Sequence, residues 1–262
     1  MSTTLTKETS RQAGFQPTLF SRLMSAPTPE APEVSRLSTL RSMDLHAPRA
    51  GRFFSMAQRA QLRGRHHRST SPILGRRYLA SIIIQTSMLR TGSRDAATVT
   101  IGELVGFGPS ASLHIVQHDR WEGADIWSAI PRLLNDLSRT WKSPVVVGVE
   151  DGHALTRLQH LAGSQPMFTK VIILGHAAKT GDALLHALDH RLLKVYAPDG
   201  SEEHNQFWTQ IVKAQGRFSH GSVDFFIDRG TGDDSYLAGL ALLTKEARRE
   251  DGRSLANTAV PA

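Results

Sequence analysis

Cysteine is absent from the 262 residues, which excludes disulfides, thiolate metal sites and a cysteine nucleophile. Long apolar runs are missing as well. Val145 to Val147 and the stretch 171–174 have the length of strands, far short of the roughly 18 residues a membrane-spanning helix needs. The start of the chain is polar and lacks the apolar segment of a secretory signal peptide. The most informative absence is of acid. Between Asp44 and Asp95 there is no Asp or Glu, while Arg49, Arg52, Arg59, Arg63, Arg65, Arg68, Arg76, Arg77, Arg90 and Arg94 supply ten positive charges. The formal net charge is +7, so the rest of the chain carries −3. A basic segment is thus joined to a slightly acidic body.

The first fifty residues hold seven Ser, seven Thr and five Pro, with no apolar periodicity to offset the entropy of ordering them. Residues 1–77 are therefore read as a disordered leader and Arg-rich arm, 78–250 as an α/β catalytic-like domain, and 251–262 as a flexible tail. Guanidinium groups on residues 49–77 suit nucleic acid or an anionic membrane surface, and a solvated linker has the same composition. The Ser/Thr-rich start is also compatible with the leader of a type III secretion substrate.

From Tyr78 the pattern is that of a packed domain. Strands are predicted over 79–84, 97–101, 112–117, 145–149, 170–174 and 222–227, from apolar and β-branched runs bounded by turn residues. Helices are predicted after an Asp125 N-cap, with Ile126, Ile130, Leu133, Leu134 and Leu137 on one face, and over 154–161, 202–213 and 235–249. The stretches 183–188 and 192–197, separated by Asp189, His190 and Arg191, read as a β-hairpin. The sum is an α+β domain, a mixed sheet with flanking helices.

Twelve histidines invite a metal site. His114 with His118 and His186 with His190 have i,i+4 spacing, but neither pair carries the Glu of a zincin, so no metal site is expected. A phosphate loop fails too, because Lys179 and Thr180 lack the second glycine before them. The hairpin and the last helix offer a different constellation: a histidine on one strand, an acid at the end of its partner, and a nucleophile at a helix N-terminus. His186 as base, Asp199 as orienter and Ser235 as nucleophile fill these roles. His176 is an alternative base, and spacing alone favours reading Ser235 or Asp234 as a plain helix N-cap.

These residues resemble the YopJ family of type III secreted effectors, acetyltransferases with the fold of ubiquitin-like-protein proteases. The resemblance is carried by Asp125, Ile130, Pro131 and Leu133, by Tyr196, Ala197, Pro198 and Asp199, and by the segment from Asp233 to Leu242. Ser235 stands where the family has its cysteine, and Ala197 where it usually has the acid. The resemblance implies a secreted virulence protein acting in a host cell on a host protein target, with acetyl-CoA and inositol hexakisphosphate as cofactors. With serine for cysteine it is an acetyltransferase-like pseudoenzyme or weakly active enzyme. The other class of reading is a non-catalytic protein whose Arg-rich arm contacts nucleic acid or membrane. A papain-like hydrolase, with its nucleophile at Ser128 or Ser138, ranks behind both.

Overall fold

The computed structural model describes residues 51–86, 95–123, 126–162, 170–174, 178–219, 222–228 and 233–258. The leader over 1–50, the Asp125 cap and His176 lie outside the described residues. In chain order the elements are β1 (Gly51–Arg52), α1 (Met56–Leu62), β2 (Arg77–Gln85), β3 (Ala96–Val105), β4 (Ser112–Glu122), α2 (Ile126–Thr140), β5 (Val145–Val149), α3 (Gly152–Ala162), β6 (Lys170–Ile173), α4 (Ala178–Asp189), β7 (Leu193–Val195), α5 (Glu202–Lys213), β8 (Gln215–Ser219), β9 (Ser222–Phe226) and α6 (Ser235–Thr258).

The six-stranded sheet runs β6-β5-β2-β3-β4-β7. β3 is antiparallel to both of its neighbours, and every other pairing is parallel. The centre of the sheet is made of residues that suit burial on two sides. Tyr78, Ala80, Ile82 and Ile84 point one way, with Val145, Val147 and Val149 of β5, and are covered by α2 and α3. Leu79, Ser81 and Ile83 point the other way, toward α6. The product is three layers, helices on both faces of a mostly parallel sheet.

The first half of α6 has apolar residues all round: Tyr236, Leu237, Leu240, Ala241, Leu242 and Leu243 are all buried, the pattern of a helical segment enclosed by protein rather than lying on its surface. Its close approach to the sheet depends on Gly239. A Cβ there would sit 3.0 Å from Thr100 Oγ1 and 3.1 Å from Ser81 Oγ, and the Ser81 hydroxyl donates to the Gly239 carbonyl.

Three expectations are corrected here. The hairpin is not formed: its first half lies in α4, and its second half is β7, parallel to β4. Residues 251–258, read as tail, continue α6. The Arg-rich arm is folded from Gly51 onward. Phe53, Phe54 and Leu62 are buried in the core, where they supply the apolar surface that the arginines lack. Ser55 closes α1 with a capping box onto Gln58. After α1 the chain runs along β7, with Gly64 N–H donating to Val195 O and Ala197 N–H to His66 O. The arm thereby covers an otherwise open sheet edge.

Candidate functional site

The three residues of the sequence-based triad are not joined by their described contacts. His186 lies exposed on α4, its ring stacked on His190 at 4.1 Å. Asp199 sits in the loop before α5, where it accepts from the Ser201 N–H and hydroxyl and pairs with Arg68 at 3.6 Å. Ser235 is wholly buried. Its hydroxyl accepts from Thr98 Oγ1 at 2.9 Å and from Arg120 at 3.0 Å. A hydroxyl enclosed in this way presents no face to a substrate, and a histidine on an outer helix face cannot serve it as base. The geometry behind the choice of His186 required a hairpin that α4 replaces.

What Ser235 belongs to instead is a polar anchor for the start of α6. Arg120 of β4 bonds Asp233, Glu122 and Ser235. Asp233 accepts from Ser235 N–H and from the Gln210 amide, whose oxygen in turn accepts from Leu237 N–H. Two N–H groups of the first turn of α6 are thus satisfied by side chains. Burial works against the Arg120 charge, but Asp233 and Glu122 outweigh it and hold the guanidinium protonated. This anchor forms one wall of a cleft of about 320 Å³ beside α5, lined by Asn205, Thr209, Gln210 and Lys213 among others.

In open α/β sheets ligands gather beyond the carboxyl ends of the strands where the chain order reverses, which here is the β2–β5 boundary. On its α6 side that boundary is filled with hydrocarbon. Ile83 and Val146 meet Ala238 and Leu242, with Ile172 and Leu174 alongside. A Cβ on Gly148 would lie 2.7 Å from Ile83 Cδ1, 3.0 Å from Leu174 Cδ2 and 3.0 Å from Leu242 Cδ1. At the rim stand Gln85, one residue past the Ile84–Val149 pair, and Glu150, which accepts from Thr86 N–H at 3.0 Å. The next carboxylate, Asp151, caps α3 by accepting from Ala154 N–H. Asp95, at the start of β3, accepts from the Trp127 indole N–H on the α2 side. No group of three or more His, Asp or Glu able to hold a metal ion occurs among the described residues. His114 and His118, four apart in the sequence, belong to β4 rather than to a helix face.

His118 is the most buried titratable group near the anchor. Its ring stacks on Phe207 at 4.6 Å, with Tyr196 and Tyr236 beside it. Burial, reinforced by His204 and Arg68, pushes the imidazole down to about 3. The unfolded chain therefore binds a proton below pH 6.5 that the folded chain refuses, so this stability is present at neutral pH and is lost as pH falls. The expected loss is about 1.4 kcal/mol per pH unit below 6.5. Urea unfolding at pH 7, 6 and 5 should show this slope, and His118→Phe should flatten it. His114 and His204 shift in the same direction and will leave a remainder.

No protein-family model matches this sequence, and no curated protein matches it. Solved structures do. The large terminase nuclease from thermophilic phage G20c superposes with a TM-score of 0.54 at 13% identity, covering 74% of this chain and 98% of that one. The same nuclease with bound magnesium gives 0.50, again at 13% identity, over 73% and 95%. At this identity the likeness is one of fold. It overturns the YopJ resemblance and the ubiquitin-like-protease fold, and with them the acetyltransferase, effector and pseudoenzyme readings built on that family. Acetyl-CoA and inositol hexakisphosphate were expected through that resemblance alone. Among the described residues no helix is long and apolar enough to cross a membrane. What the chain shares with the phage nuclease is the architecture of nearly that whole domain.

Proposed function

We propose that this chain is a DNA-handling protein built on the RNase H-like fold of a terminase nuclease domain, and that it holds DNA rather than cutting it. The observation that carries the first half is the likeness over 98% of the nuclease domain's length. The second half is supported by the chemistry of the boundary between β2 and β5. Magnesium takes oxygen ligands, chiefly carboxylates, and a two-metal hydrolytic site needs several of them converging on one point. Here that point holds Gly148, Leu242, Ile83 and the neutral Gln85, with Glu150 at the rim. The described residues there do not fit such a metal pair.

A hydrolytic reading has one feature in its favour, the two adjacent carboxylates Glu150 and Asp151 at the carboxyl end of β5. The two readings separate in one assay: the full chain is mixed with supercoiled plasmid, with and without magnesium or manganese, and scored for both retardation and nicking. Retardation without nicking is expected.

A further inference from the structure

We infer that the segment from Arg63 to His67, which bends at Arg65 and His66, is a phosphate-contacting ridge for duplex DNA, a placement that rests on the DNA-handling reading above. This segment lies in the part of the chain that has no acidic residue. It is also the part held along β7 by Gly64 N–H to Val195 O and Ala197 N–H to His66 O, with Arg63 bridged in parallel to Val195. Arg63, Arg65 and His67 are exposed, whereas His66 and Arg68 turn inward, the first onto Ile115 O and the second onto His118 O and Asp119. Arg63 and Arg65 thus present two charges on the outer side of a segment anchored to β7 at both ends.

The arginines of this chain divide by what they do. Arg68, Arg76, Arg120 and Arg249 each pair with a carboxylate. No ion pair among the described residues ties down Arg63 or Arg65. Arg63 is steadied instead by the face of Trp208, 5.3 Å away, which limits the side-chain entropy lost on binding without spending the charge. Lys194 of β7 adds charge beside the segment and is held by its bond to Gln61 O. Of the acids in this region, Asp189 accepts from Gln58, and Asp119, Asp199 and Glu203 face Arg68. An exposed guanidinium with no carboxylate partner among the described residues suits a phosphate oxygen.

The test measures anisotropy of a labelled 30-base-pair duplex with the full chain between 50 and 200 mM NaCl. Wild type should bind with a steep salt dependence. Arg63→Ala/Arg65→Ala should lower the slope of log affinity against log salt by about 2. Arg132→Ala/Arg139→Ala, on the exposed side of α2, should leave it unchanged. If wild type binds and the ridge variant keeps both affinity and slope, the ridge is wrong and the DNA-handling reading survives. If wild type does not bind duplex at all, both fall. Should the double variant fail to fold by circular dichroism, Arg65→Gln alone is expected to lower the slope by about 1, and an unchanged slope would overturn the placement.

Discussion

Leu242→Ala is expected to destabilise the protein by about 2–5 kcal/mol, the cost of opening a cavity in a tightly filled core. Leu242 is 1% exposed and fills the space between α6, β2 and β5 that would otherwise be a crevice. The reverse change across the same contact, Gly148→Ala, overpacks it and should cost about 1–3 kcal/mol. Its Cβ would meet the ends of Ile83, Leu174 and Leu242 at 2.7–3.0 Å. Because the added methyl group occupies the space that Leu242→Ala vacates, the double variant should lose clearly less than the sum of the singles. Additive losses in urea unfolding would mean that the two residues do not share one contact, and that the crevice is not plugged as described.

Arg120→Met is the second large effect, expected at about 2–4 kcal/mol. Removing one member of a buried ion pair costs about 3–5 kcal/mol because the other charge is stranded, and partial exposure of Arg120 and Asp233 reduces this. The change leaves Asp233 without its cation while it still faces Gln210 and Ser235 N–H. Adding Asp233→Asn removes the stranded charge, so Arg120→Met/Asp233→Asn should recover part of the loss. Hydrogen exchange should show the first turn of α6 opening before the rest of the helix, since that turn is what the network holds. A single variant as stable as wild type would show the pair to be no more than a surface contact.

Much of the sheet was legible because its strands are nearly continuous apolar runs. The stretches 79–84 and 145–149 fall inside β2 and on β5. β3 and β4 were read too short because their outer halves mix polar residues into the ladder, as with Glu103, Asp119 and Arg120. α4 was misread at its end. Ala183, Leu184, Ala187 and Leu188 are buried with helical spacing, but Asp189, His190 and Arg191 suggested a strand turn. In the structure Arg191 takes φ 58°, and Leu192 N–H returns to Ala187 O. That is a left-handed helix end of the kind usually marked by glycine. With arginine in the position, the stop signal was absent from the sequence, and the false hairpin carried His186 into the site.

Ser235 was placed correctly at a helix start, where the plain capping alternative came closer than the nucleophile. Its burial could not be seen because Thr98 and Arg120 reach it from strands more than a hundred residues away in sequence. The folding of the arm had a readable signal. Phe53, Phe54 and Leu62 among the arginines are more apolar surface than a solvated linker needs, and all three are buried. The hydrocarbon plug at the β2–β5 boundary had no motif to announce it, since Ile83, Gly148 and Leu242 become neighbours only through the pairing of β2 with β5 and the seating of α6.

The most direct measurement is the plasmid assay with the complete protein and either magnesium or manganese. Retarded DNA that stays supercoiled, with retardation relieved by salt, is the expected result. Metal-dependent nicking that disappears in Glu150→Gln/Asp151→Asn would contradict it, and would mean that carboxylates at the end of β5 assemble a hydrolytic site.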